Sequence, residues 1–283
     1  MDWLDQTLDD LASLPAISYL AGGAAAAEPA ALAALAFLGA HRIPAAQRAV
    51  ESLTKMQQAS GQVSVRAGEQ SPGWPTSLAV VAWSSFMKAT NTRDHAGNAA
   101  RGIEWLLANR GKSIERTDAF GHNPELVGWA YAEQTHSWVE PTAFAVLALK
   151  SAGRGQESAA REGVSVLIDR QLPGGGLNYG NTYVLGQLLR SHVQPTGISL
   201  LALAGETDSN GSIAKTIAWL TRSIGPETTP LSLAWAILGL RAHGQEPPQA
   251  DEWLTSAVSR VQSRDRSPHK LALLALATQR WPK

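Results

Sequence analysis

One segment recurs six times along the chain and constrains the fold more than any other feature: a proline followed by a run of small and apolar residues. It reads Glu28-Pro29-AALAALAF, Trp74-Pro75-TSLAVVAW, Glu140-Pro141-TAFAVLAL and Gln194-Pro195-TGISLLAL. A fifth copy lies in Pro230-LSLAWAILGL and a sixth in Ser267-Pro268-HKLALLAL. Proline is tolerated at the first helical position, where its missing N–H has no intrahelical partner to lose. The run after it is apolar nearly all round, which predicts a buried helix.

A second pattern sits between the copies: Arg48-AVESLTKMQ, Arg101-GIEWLLANR, Glu162-GVSVLIDRQ, Lys215-TIAWLTRSI and a looser Asp251-EWLTSAVSRVQ. Each has one apolar stripe and a charged face, the signature of a surface helix. Leu53, Leu106, Leu167 and Leu220 take the same place in the first four. Alternating buried and amphipathic helices in six pairs fit an open solenoid or a closed double ring. The irregular loop lengths favour closure. The expected fold is all-α: an α/α toroid of about six inner and six outer helices, one domain over residues 1–283. Residues 1–23 are expected to pack as an extra helical arm. No strand-period segment or hairpin signal competes.

Composition removes several chemistries. Without cysteine the chain has no disulfide, thiolate zinc site, iron–sulfur cluster or cysteine nucleophile. Its 24 basic and 24 acidic residues cancel, so nothing draws it to nucleic acid or an anionic membrane. The acidic start, Met1-Asp2-Trp3-Leu4-Asp5, lacks the basic region of a secretion signal, and the Ala-rich stretch after residue 20 is too interrupted to span a bilayer. The expected location is cytoplasmic, with no transmembrane segment.

Gln171-LPGGGLNYGN resembles the glutamine–tryptophan repeat of squalene–hopene cyclases and protein prenyltransferase β subunits, with Gly174 and Leu177 departing from it. Gln57-QASG is a weaker copy. Pro72-Gly73-Trp74-Pro75-Thr76 and Ser137-Trp138-Val139-Glu140-Pro141-Thr142 resemble loops of bacterial proteins with prenyltransferase/squalene-oxidase-type repeats. The resemblance covers the chain after residue 25. It implies the toroid and a deep apolar pocket within the inner ring, its mouth at the inner-helix N-termini. The cyclases' acidic motif falls on Trp138-Val139-Glu140-Pro141, where Glu140 keeps the central acid. The zinc chemistry of prenyltransferases is not supported, and no cofactor is expected.

The segment from Glu115 to Pro141 gathers Asp118, Phe120, His122, Glu125, Trp129, Tyr131, Glu133, His136, Trp138 and Glu140. A desolvated carboxylic acid can donate a proton, and aromatic faces stabilise a cation. Glu140 is the candidate proton donor or polar anchor, with His136 beside it. Trp74, Trp138, Tyr131, Trp129, Glu28 and Gln194 are the candidate substrate-binding residues. For Glu140 and Glu28 the competing reading is a carboxylate favoured by the positive end of a helix dipole. Trp105, Trp219 and Trp253 read as packing between layers, and the loop tryptophans as structural staples. His122 and His136 lack metal-site spacing, and no metal is assigned. Gly174-Gly175-Gly176 reads as a turn needing positive φ. Gly68-Glu69-Gln70 resembles the thioester loop of complement-type toroids, but the essential cysteine is absent.

The leading expectation is a terpenoid cyclase- or prenyltransferase-like protein that binds an apolar isoprenoid and cyclises or isomerises it by protonation. The alternative is a non-catalytic lipid-binding or protein-interaction subunit with a partner protein. A third option is a polysaccharide-active toroid, which would want acids converging in an open polar groove.

Overall fold

The computed structural model describes residues 2–69, 72–117, 120–279 and 281. The inner helices are α2 (Ala27–Gly39), α4 (Thr76–Thr90), α6 (Val139–Ser151), α8 (Val193–Ala202), α10 (Pro230–Ala242) and α12 (Pro268–Thr278). Each packs on the next, and α12 packs back on α2, so the ring is closed. The outer layer is α3 (Ile43–Met56), α5 (Ala96–Ala108), α7 (Ser158–Asp169), α9 (Ser212–Ser223) and α11 (Ala250–Arg264), together with α1 (Asp2–Ser13). The protein is an all-α toroid.

The expected N-terminal arm is α1, and it holds the sixth outer place against α12 and α2. Leu8 and Leu11 are buried, and the Trp3 indole donates to Thr255 Oγ1 at 3.1 Å. Arg42 pairs with Asp5 and Asp9 to tie α1 to the start of α3. The outer ring thus closes between the two ends of the chain.

Pro230 and Pro268 open their helices, as expected, but Pro29, Pro141 and Pro195 are third residues and Pro75 is an N-cap. All first-turn N–H groups lack an intrahelical acceptor, so a third-position proline also loses no bond. The helix therefore starts two residues early and takes in Glu28, Glu140 or Gln194 as its second residue.

The residue after three of these prolines fixes the loops. Val63, Trp129 and Leu177 each donate a backbone N–H to the hydroxyl of Thr76, Thr142 or Thr196, at 2.8–2.9 Å. All three threonines have no exposed surface. An unpaired buried N–H would cost roughly 1–3 kcal/mol, so each Pro-Thr pair pins one loop over the ring. Gln57 and Gln171 do related work lower down: Gln57 bonds Asn98 and Arg101, and Gln171 accepts from Thr216.

The ring is filled. Leu32, Ala33, Ala34, Leu35 and Ala36, which together face every side of α2, are all 0% exposed. The same holds round most of α6, α10 and α12. Small side chains let the helices close until no water-sized void remains against these residues. Contact is tightest between α8 and α10, where a Cβ on Gly197 would lie 2.6 Å from the Trp235 carbonyl carbon.

A short antiparallel hairpin, β1 (Tyr183–Val184) and β2 (Gln187–Leu188), interrupts the helical pattern before α8. It corrects the expectation that no hairpin occurs. Its strands are too short to show alternation, and its turn uses Leu185-Gly186 with φ +49° and +80° in place of the usual Asn-Gly.

Candidate active site at the inner-helix mouth

The second residues of four inner helices meet in two pairs. Glu140 on α6 accepts from Gln194 Nε2 on neighbouring α8 at 3.0 Å. Glu28 on α2 lies with Oε1 3.4 Å from His269 Nε2 on neighbouring α12. Each glutamate also accepts a phenol from the loop before its own helix: Tyr131 OH on Glu140 and Tyr19 OH on Glu28, the latter at 2.9 Å. In both cases the tyrosine stands nine residues before the glutamate.

The two centres differ in their partners. Glu140 is buried and has only neutral donors. Burial raises its pKa; the bonds from Tyr131 and Gln194 pull the other way without cancelling it, and the Glu28 charge adds to the rise. Both phenols are pushed above their ordinary value, chiefly by burial and then by the carboxylate beside them. Glu28 instead has an imidazole within ion-pair distance.

An aromatic wall flanks Glu140. The Tyr131 ring meets Trp74 edge-on at 6.0 Å and Trp138 at 5.9 Å, and His136 stacks on Trp138 at 4.8 Å. Burial and the nearby Arg170 guanidinium lower the His136 pKa, which favours the neutral imidazole. Tyr179, whose carbonyl accepts from the Val139 N–H, lies on the same side, with His192 at 5.2 Å.

The structure thus brings together Glu140, Tyr131, Gln194, Trp74, Trp138 and His136, with Glu28 in the second centre. Trp129 is a correction. Its indole is 2% exposed and donates to the Leu106 carbonyl at 2.8 Å, with Arg110 over the ring, so it is a staple between layers. His122 is also turned inward: it bonds Thr182 at 3.2 Å, and burial lowers its pKa to about 4. Asp118 and Gln70 lie outside the described residues. Among the described residues no three His, Asp or Glu gather as metal ligands, and no helix is long and apolar enough to cross a membrane. Gly175 and Gly176 have the positive φ expected of the glycine turn.

Sequence reasoning missed the Tyr19–Glu28–His269 centre and a groove beside the mouth. A cavity of about 80 Å³ is lined by Trp74, Tyr131, Trp105, Asn109, Arg110 and Glu133 among others. It continues into an open shelf bounded by Gln58, Ser60, Gln62, Glu104 and Trp105. The lining is mostly polar, with aromatic faces set into it. Trp105 packs against the core from α5, as expected, and its half-buried ring also lines this groove. The nine-residue spacing of Tyr19 and Glu28, repeated in Tyr131 and Glu140, was the available signal for the missed centre.

This is the class of fold called the α/α toroid, and solved structures place the chain within it. It superposes on a novel alpha-amylase from Clostridium perfringens with TM-score 0.68, at 12% identity over 98% of this chain and 96% of that one. Against the cellobiose 2-epimerase from Spirochaeta thermophila the TM-score is 0.62, at 13% identity over 98% and 97%. Salmonella alpha-2-macroglobulin reacted with methylamine gives 0.57 at 14% identity, and there the chain spans only 17% of the longer protein. No family model and no curated protein matches the sequence. Likeness at this identity shows the fold alone. It supports the toroid and lends nothing to a cyclase or prenyltransferase assignment, and among the described residues the inner helices are packed against one another rather than round a deep apolar pocket.

Proposed function

We propose that the mouth and its groove take a carbohydrate chain, and that Glu140 protonates a glycosidic oxygen. One observation carries this reading: Tyr131 both lines the polar groove and hydrogen-bonds Glu140. A chain lying along the groove is led to an acid whose pKa burial has raised, as a proton donor requires. Sugars offer apolar C–H faces to Trp105 and Trp74 and hydroxyls to Asn109, Arg110 and Glu133. Two toroids matched along nearly their whole length are described as an alpha-amylase and a cellobiose 2-epimerase, which supports the same substrate class. An apolar polyene fits less well, since the groove is polar and the ring centre is packed.

Calorimetric titration with malto-, cello- and xylo-oligosaccharides tests the reading. At least one series is expected to bind, with affinity falling about tenfold or more in Trp105→Ala. Absence of binding across all the series would overturn it.

A second reading, a toroid that docks on a partner protein, draws on the hairpin, whose tip residue Leu185 is 97% exposed with Leu188 at 54%. Pull-down of a defined partner that is lost in Leu185→Asn would favour it.

A further inference from the structure

We infer that the saccharide this groove prefers carries a protonated amine in place of one hydroxyl, and that Glu133 is the residue that reads it. The inference rests on the carbohydrate reading for the substrate class and adds the charge of that substrate. Glu133 lines both the cavity and the open shelf, as Trp105 and Asn109 do, so all three stand where the two parts of the groove join. Among the described residues the exposed Glu133 side chain makes no ion pair or hydrogen bond.

The other charges of the groove are already engaged. Arg110 is the basic residue of the lining. Its guanidinium pairs with Glu162 at 2.9 Å, donates to the Val127 carbonyl and lies over the Trp129 ring at 5.2 Å. Glu104, on the shelf, pairs with Arg154 at 2.8 Å, but that guanidinium also holds Glu157. The basic charge is thus spent inside the wall while acidic charge is left over at the surface of the groove, which suits a cationic ligand.

Aromatic faces complete the site. A Cβ on Gly73 would lie 2.5 Å from the Trp105 ring, so the missing side chain there lets that ring reach the cavity beside Trp74. Trp74 in turn meets Tyr131 edge-on at 6.0 Å. An ammonium is attracted to aromatic faces by their quadrupole. A sugar ring offers C–H groups to the same faces, so one amino sugar satisfies the rings and the carboxylate together. The turn that presents Glu133 is held in shape: Gln134 takes φ +63°, and Thr135 Oγ1 donates to the Ala132 carbonyl at 2.8 Å.

Calorimetric titration with a cello-oligosaccharide, an N-acetylated chito-oligosaccharide and its deacetylated form is the test. The three share one backbone and differ only in the substituent at one ring carbon. The deacetylated oligomer is expected to bind about three- to tenfold tighter than the other two at low salt, the range that an exposed ion pair and a cation–ring contact allow. The preference is expected to shrink as salt is raised from about 0.01 M to about 1 M. In Glu133→Gln the affinity ratio is expected to fall to about one, and in Glu133→Lys to invert. Equal affinities in the wild type, or a preference that Glu133→Gln leaves unchanged, would overturn the inference while the carbohydrate reading stands. Spermidine supplies amines without a sugar, and if it binds as tightly as the deacetylated oligomer the amino-sugar assignment is overturned. Failure of every oligomer to bind overturns the inference and the carbohydrate reading together.

Discussion

Closure of the ring at its tightest point predicts a sharp response at Gly197. In Gly197→Ala the new Cβ would lie 2.6 Å from both the carbonyl carbon and oxygen of Trp235, and 2.7 Å from the Ala236 nitrogen. Ordinary carbon contacts are about 3.5–4.0 Å. The helices must therefore part by about 1 Å, and no side chain can swing aside because the obstruction is backbone. Alanine gains about 1 kcal/mol over glycine in a helix interior. Overpacking costs about 1–3 kcal/mol, and a rigid backbone partner places this site at the upper end. The net loss is about 2 kcal/mol, which for a domain near this size lowers Tm by roughly 4–8 °C. Calorimetric melting of Gly197→Ala beside Gly174→Ala is the assay. A Cβ at Gly174 meets nothing within 4 Å, so that control should melt with the wild type. A Gly197→Ala protein that melts at or above the wild-type temperature would refute the close-contact argument.

The loop staples predict that Thr142→Val, which leaves the Trp129 N–H without its acceptor, costs roughly 1–3 kcal/mol, read as a lower urea midpoint at unchanged slope. His122 has a pKa of about 4 against an ordinary 6.5, so the native state binds fewer protons than the unfolded chain between those values. Its stabilising contribution is complete above pH 6.5 and is lost as pH falls towards 4. His122→Gln should flatten that part of the stability curve, and an unchanged curve would contradict the assignment. Leu185 holds φ +49° at a solvent-exposed tip. Leu185→Asn suits that conformation better and should gain about 0.5–1 kcal/mol in thermal or urea unfolding; a loss would show that Leu185 makes contacts the exposure denies.

The inner ring was legible in sequence because a helix buried on every side must be apolar on every side, as AALAALAF and TAFAVLAL are. The role of α1 was not legible. Its inner partner α12 is the last helix of the chain, so no local repeat ties the two. Glu140 stood out because an acid precedes a proline at a helix start. Its partner Gln194 and the matching His269 could be assigned only once the order of helices round the ring was known. The expected lipid pocket failed for a physical reason that sequence conceals: apolar inner faces describe a hollow ring and a packed one equally well. The alanines decide between them by letting the helices approach. Trp129 went astray similarly, since an aromatic beside acids looks like a ligand contact until its indole N–H is seen bonded to the Leu106 carbonyl.

The central claim is that Glu140 is the acid of a carbohydrate site, and the most direct measurement follows anomeric protons by NMR during incubation of wild type and Glu140→Gln with the same oligosaccharide panel. The account predicts new reducing ends from at least one series with the wild type, a rate at least a hundredfold lower in Glu140→Gln, and saccharide affinity within a few-fold between the two. Equal turnover by the variant, or a panel left intact by the wild type, would contradict it.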